Sequence, residues 1–151
     1  QIVVHWRPKM CSHAGKCLNL APQVFDLNRR PWIDINAASP EEIIKAIDRC
    51  PSGALRYSLP PGSKVDPELA KGVGSIYYIE EHPAVIRVRI VPDGPLLIEG
   101  PVKIEQIGGQ LLEQGGRFAL CRCGLTSSHP FCNNNHTRLG WKEGQAKTPG
   151  R

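Results

Sequence analysis

The chain has 151 residues, 40% of them hydrophobic but only 6% aromatic, and a formal charge of +5. No apolar run approaches the roughly 20 residues that a membrane-spanning helix needs, so no membrane role is expected. The basic residues are scattered apart from Arg29-Arg30, which argues against a nucleic-acid surface.

Fourteen Pro and fifteen Gly make the chain rich in turns, and three Trp, three Tyr and three Phe leave little aromatic mass for a core. Small lobes built this way draw part of their stability from bound metal. Six cysteines could also mean disulfides. The first residues run straight into an alternating strand rather than a hydrophobic leader, so the expectation is a cytoplasmic chain with reduced thiols.

In chain order, residues 2–6 read as a short strand. Cys11 to Cys17 follow as a loop or a single helical turn, and residues 21–26 form another turn plugged by Val24 and Phe25. Arg30-Pro31-Trp32-Ile33 can pack over the first cysteines. Ser39-Pro40-Glu41-Glu42 predicts a helix start, with Ser as N-cap, Pro at the first position and Glu closing a capping box. Ile43, Ile44 and Ile47 supply its buried face. The helix delivers Cys50, and Pro51 stops it there. Residues 55–59 return as a strand beside the first.

Residues 61–75, opening on the second of the paired prolines Pro60-Pro61 and holding several glycines, read as a linker. Residues 76–79 and 84–91 are expected as strands, then a Pro92-Asp93-Gly94-Pro95 turn, then further strands over 96–99 and 102–107. Phe118 to Leu120 lead into a second cysteine loop. The expected fold class is α+β: a small α+β lobe over residues 1–60, a β-rich lobe over 76–142 with a ligand loop and short helix, and a tail over 143–151.

That second loop holds Cys121, Cys123, Cys132 and His136, spaced C-x-C-x8-C-x3-H. Cys121 and Cys123 are too close for an ordinary mutual disulfide but can share a metal centre. Asn133 to Asn135 are turn-prone and can swing His136 back towards Cys132. By chemistry alone the candidates are a closed Cys3His zinc site and a [2Fe-2S] cluster. The segment resembles the CDGSH (mitoNEET-like) iron–sulfur family through Cys121, Cys123, Thr126, Pro130, Phe131, Cys132 and His136. The upstream Asp93-Gly94-Pro95-Leu96 and Glu99-Gly100 are similar to that family's preceding strand signature. It departs at Asn133, Asn134 and Asn135, where the family prefers Asp, Gly and Ser. Asn can cap a helix and tolerates the left-handed conformation, so ligation is expected to survive. The resemblance implies a [2Fe-2S] cluster held by three Cys and one His, and a homodimer built from exchanged β segments.

Cys11, Cys17 and Cys50 form the other set. Against the bacterial ferredoxin run, Cys11 and Cys17 take the first and third places, Ala14 the second, and Cys50-Pro51 the distant fourth. A cubane lacking one ligand can lose an iron, which points to [3Fe-4S]. The stretch also resembles a divergent single-cluster ferredoxin family through Val24-Phe25-Asp26, Arg30-Pro31-Trp32 and Cys50-Pro51-Ser52-Gly53-Ala54-Leu55, and that resemblance implies [4Fe-4S]. His13 is a candidate fourth ligand, one position off the expected place. His5, His82 and His129 carry no pattern, although His129, three residues before Cys132, can act on that site by its charge. Arg122, between two ligands, either bonds the sheet or a partner or is solvated.

No catalytic constellation is visible, so a non-enzymatic electron carrier with two unlike clusters is expected. A neutral imidazole in place of a thiolate makes the [2Fe-2S] site easier to reduce, and hence the acceptor. His136 also predicts an acid-labile cluster. Bound clusters would bring the net charge down to about +2, and an acidic redox protein is the expected partner. The competing readings are a cluster donor or redox and pH sensor, and a zinc-dependent interaction protein.

Overall fold

The computed structural model describes residues 1–81 and 85–144. It is a mixed α+β structure with two small antiparallel sheets. Strands β1 (Val3–Trp6) and β2 (Leu55–Ser58) pair with Val3 opposite Ser58 and Trp6 opposite Leu55. Between them lie the short helix α1 (Lys16–Leu20) and the amphipathic α2 (Pro40–Ile47).

Helix α2 begins where the capping box requires. Ser39 Oγ accepts from the Glu42 N–H, and the Glu42 carboxylate accepts from the Ser39 N–H. Its buried face of Ile43, Ile44, Ala46 and Ile47 joins Val24, Phe25, Leu55 and Tyr57 in the first core. Trp32 packs on that core and meets Trp6 edge-on, with ring centroids 4.9 Å apart.

Residues 61–75 lie against this lobe. Ser63 Oγ donates to the Gln1 carbonyl, the Gly74 N–H donates to Asp48, and the Tyr57 N–H donates to the Gly74 carbonyl. The strand expected over 76–79 is corrected: α3 (Tyr78–Glu81) is a helical turn. Ser75 bridges Tyr57, the Ile76 N–H donates to Tyr57 O, and Ser75 Oγ then accepts from the Tyr77 N–H. Those bonds spend the backbone groups that a new strand would need and start a turn instead.

The second sheet has the order β3 (Arg87–Ile90), β4 (Leu96–Glu105), β5 (Leu111–Leu120). Of the strand expected over 84–91, residues 87–90 form it, and residue 84 lies outside the described residues. The two strands expected over 96–99 and 102–107 are one, bent by an irregularity between Glu99 and Val102. Helix α4 (Asn135–Arg138) follows the second cysteine loop.

The two sheets meet across a shared second core of Met10, Ala54, Phe118 and Phe131. Arg56 is buried at this seam. Its guanidinium donates to the Gly53 and Gln114 carbonyls, lies 3.7 Å from Glu113, and sits over the Phe118 ring at 5.7 Å. Burial lowers the Arg56 pKa and Glu113 opposes the shift, so the charge is held by its bonds rather than by water. Arg117 returns the contact by donating to the Asp48 carbonyl.

Two outcomes are expected. Gly53 has φ +71°, and an added Cβ would lie 2.1 Å from the Arg117 carbonyl oxygen. Gly53→Ala should therefore lower stability by about 2–4 kcal/mol in urea denaturation. Glu42 has its pKa held below the ordinary 4.5, chiefly by the Ser39 N–H. Because the folded value is depressed, its stabilising effect is complete above 4.5 and is lost as pH falls through the folded value. The denaturation midpoints of wild type and Glu42→Gln should differ at neutral pH and converge on acidification.

Candidate metal centres

The second cysteine loop is closed at its base by strand-like bonds. The Cys121 N–H donates to Pro130 O, the Cys132 N–H to Ala119 O, and Leu120 bridges Phe131. Thr126 Oγ1 donates to Phe131 O, Asn133 Nδ2 to Ser127 Oγ, and Asn135 Nδ2 to Leu125 O. Asn134 has φ 72°, the left-handed conformation that Asn tolerates, and this reversal brings the His136 ring over Cys132.

The donors gather in pairs. Cys121 Sγ and Cys123 Sγ are 3.7 Å apart, and Cys132 Sγ and His136 Nδ1 are 3.6 Å apart. Two ligands about 2.1–2.3 Å from one tetrahedral metal lie roughly 3.6–3.8 Å from each other. Among the described residues, no group of three or more His, Cys, Asp or Glu is arranged to hold a single metal ion. Each pair therefore has the span of two ligands on one metal.

Backbone amides donate to the sulfurs, a contact that favours the thiolate and works against burial. Cys121 accepts from the Gly124 N–H at 3.2 Å, Cys123 from Leu125 at 3.3 Å and Cys132 from Asn134 at 3.4 Å. Burial pushes the Cys121 thiol up, but the amides of Thr126, Gly124 and Leu125, with the Cys123 thiol, outweigh it and its pKa falls. Burial raises Cys123 and Cys132. It lowers His136, which keeps the imidazole neutral, the form that binds metal.

Arg122 is half-buried and bonded within the chain. It donates to the Gly94 and Val91 carbonyls and to Glu143, and stacks on Trp141 at 5.2 Å. The Glu143 N–H donates in turn to Asp93. Residues 141–143 are thereby strapped across the loop, a contact that a sequence pattern confined to the ligands does not contain.

In the other lobe, Cys11, Cys17 and Cys50 line one pocket, under Trp6 and beside Pro51. Burial raises the Cys11 and Cys17 thiols, and the charge of Cys50 pushes both the same way. Ala14 contributes wall rather than a donor. His13 has φ 56°, its N–H donates to Cys11 Sγ at 3.3 Å, and its Nδ1 lies 3.7 Å from the same sulfur. That is the spacing of two ligands on one metal, whereas a cubane offers one protein ligand per corner. His5 bonds Ser58, His129 is exposed, and His82 lies outside the described residues.

Residues 1–60 match the family described as divergent 4Fe-4S mono-cluster, and residues 93–137 match the iron-binding zinc finger of CDGSH type. The Uncharacterized protein YjdI of Escherichia coli K12 is 39% identical over 57 residues, which is 38% of this chain and 75% of that protein. Its counterpart in strain O157:H7 matches equally. This chain belongs to the divergent 4Fe-4S mono-cluster family and carries a CDGSH domain behind it. Both expected resemblances hold, in the expected order. All four donors of the paired arrangement fall inside the CDGSH match, and all three pocket cysteines inside the mono-cluster match. Among the described residues no helix is long and apolar enough to cross a membrane.

The strap can be tested directly. Arg122→Ala should leave the donors in place but free the loop, so that iron passes to a chelator on the order of tenfold faster. Iron release followed by absorbance is the measurement, and Trp141→Ala should move it the same way.

Proposed function

We propose that this iron–sulfur protein is a non-enzymatic electron carrier with two unlike centres. Cys121, Cys123, Cys132 and His136 would hold a [2Fe-2S] cluster, and Cys11, Cys17 and Cys50 a cubane-type [3Fe-4S] or [4Fe-4S]. When bound, such clusters supply reversible one-electron chemistry.

The observation that carries this reading is the shared core. Met10 adjoins Cys11 in sequence, Phe131 adjoins Cys132, and both side chains lie in one buried cluster against which Cys11 and Cys50 also pack. Phe118 and Phe131 stack there with centroids 6.3 Å apart. Close-packed protein, not water, therefore joins the walls of the two donor sets. The chain's part is to fix that separation, to donate amides to the sulfurs, and to keep His136 neutral. A neutral imidazole replacing a thiolate makes the CDGSH site easier to reduce, which supports it as the acceptor.

The three pocket cysteines support [3Fe-4S], while the family description supports [4Fe-4S]. A second reading, a cluster donor or redox and pH sensor, is favoured by His136, which is half-exposed at the end of its loop. Transfer of the CDGSH-site cluster to an apo-ferredoxin faster than its loss to a chelator would decide for that role.

Anaerobic purification with iron and sulfide counting is the primary test. Coloured protein with acid-volatile sulfide, and distinct paramagnetic signals in the oxidised and reduced states, is expected. Colourless protein containing zinc would overturn the reading. His136→Cys should lower one midpoint potential by on the order of 100 mV and slow the acid loss of colour. The other potential should stay where it was.

A further inference from the structure

A groove of about 510 Å³ runs along the seam between the lobes, with Trp6, Arg7, Pro8 and Lys9 on one wall and Leu112, Glu113, His129 and Pro130 on the other. Met10 and Phe131, the neighbours of Cys11 and Cys132, form part of its lining. Nothing in the electron-carrier reading uses this groove.

Its surface has the make-up of a protein interface. Trp6 is 37% exposed and Leu112 40% exposed, and Pro8 lies beside them. Exposed aromatic and aliphatic side chains at the centre of a patch are what a partner's surface anchors on. The lining carries the cations Arg7 and Lys9 against one carboxylate. Glu113, the single carboxylate of the lining, faces both Arg7 at 3.4 Å and buried Arg56 at 3.7 Å, so its charge is spent internally. Lys9 is exposed and enters no ion pair among the described residues.

We propose that this groove is the docking site of an acidic protein electron carrier of the ferredoxin type. Carboxylates of the carrier would meet Lys9 and Arg7, and its apolar surface would cover Trp6 and Leu112. Met10 and Phe131 lie beneath this groove, so a surface docked there rests over the sequence neighbours of Cys11 and Cys132. Charge of opposite sign around a small apolar centre steers encounter and orients the partner. The inference rests on the electron-carrier reading and adds the surface and the partner's chemistry.

The test titrates the full, cluster-loaded chain with an acidic plant-type [2Fe-2S] ferredoxin, with calorimetry as the readout. Iron and sulfide are counted in every variant, so a failure of the electron-carrier reading shows as missing iron and is separate from a failure of docking. Affinity is expected to fall at least about tenfold between roughly 50 and 200 mM salt. Lys9→Glu and Leu112→Asp should each weaken it by about tenfold or more. Lys45→Glu, an equal charge change on the exposed side of α2, should leave it unchanged. If Leu112→Asp loses iron, Lys9→Glu, at an exposed position, still decides. Unaltered binding by Lys9→Glu, equal weakening by Lys45→Glu, equally tight binding of polyglutamate, or no binding of the ferredoxin would each overturn the proposal.

Discussion

Everything else in this molecule depends on a buried cation at the seam. Arg56 lies on β2, donates to Gly53 in its own lobe and to Gln114 on β5, and covers the Phe118 ring. A buried guanidinium is tolerable only when its donors are spent, and here they are spent on carbonyls from both sides. The lobes are therefore held by a contact that neither could satisfy alone. Arg117, donating to Asp48 and paired with Glu99, is the reciprocal tie.

This seam explains why so lean a chain can present two donor sets with defined geometry. The first core lies between α2 and the β1–β2 pair, and the second core begins where Ala54 passes under Phe118. Cys50 touches both cores, so the first donor set is built into the junction rather than placed on a distant loop. On the other side, Phe131 carries the second loop into the same core and fixes Cys132 beside it. Positions of metal ligands are only as good as the packing behind them. Here that packing is common to both.

Local features were readable in advance because they depend on residues within a few positions of each other. The capping box at Ser39 and Glu42 and the approach of His136 to Cys132 both came out as expected. Asn134 shows why the departures from the usual CDGSH residues are tolerated, since its backbone takes the left-handed angle that glycine serves elsewhere. Residues 76–79 show the limit. Their alternation looks like a strand, but Tyr57, nineteen or more positions earlier in the chain, takes the backbone bonds first. Arg122 shows the same limit for the site, because its partners Val91, Gly94 and Glu143 come from both directions along the chain.

The candidate donors were thus legible in the sequence alone. C-x-C-x8-C-x3-H and the Cys11, Cys17, Cys50-Pro51 register restrict which chemistry the chain can do, since donor type and short spacing do not depend on the fold. Tertiary structure alone decided how the donors divide into pairs and which walls the two sets share. Met10 and Phe131 are separated by most of the chain, and no local rule brings them together. Only the burial of apolar surface at the seam does so, because that force acts on area and is indifferent to sequence distance.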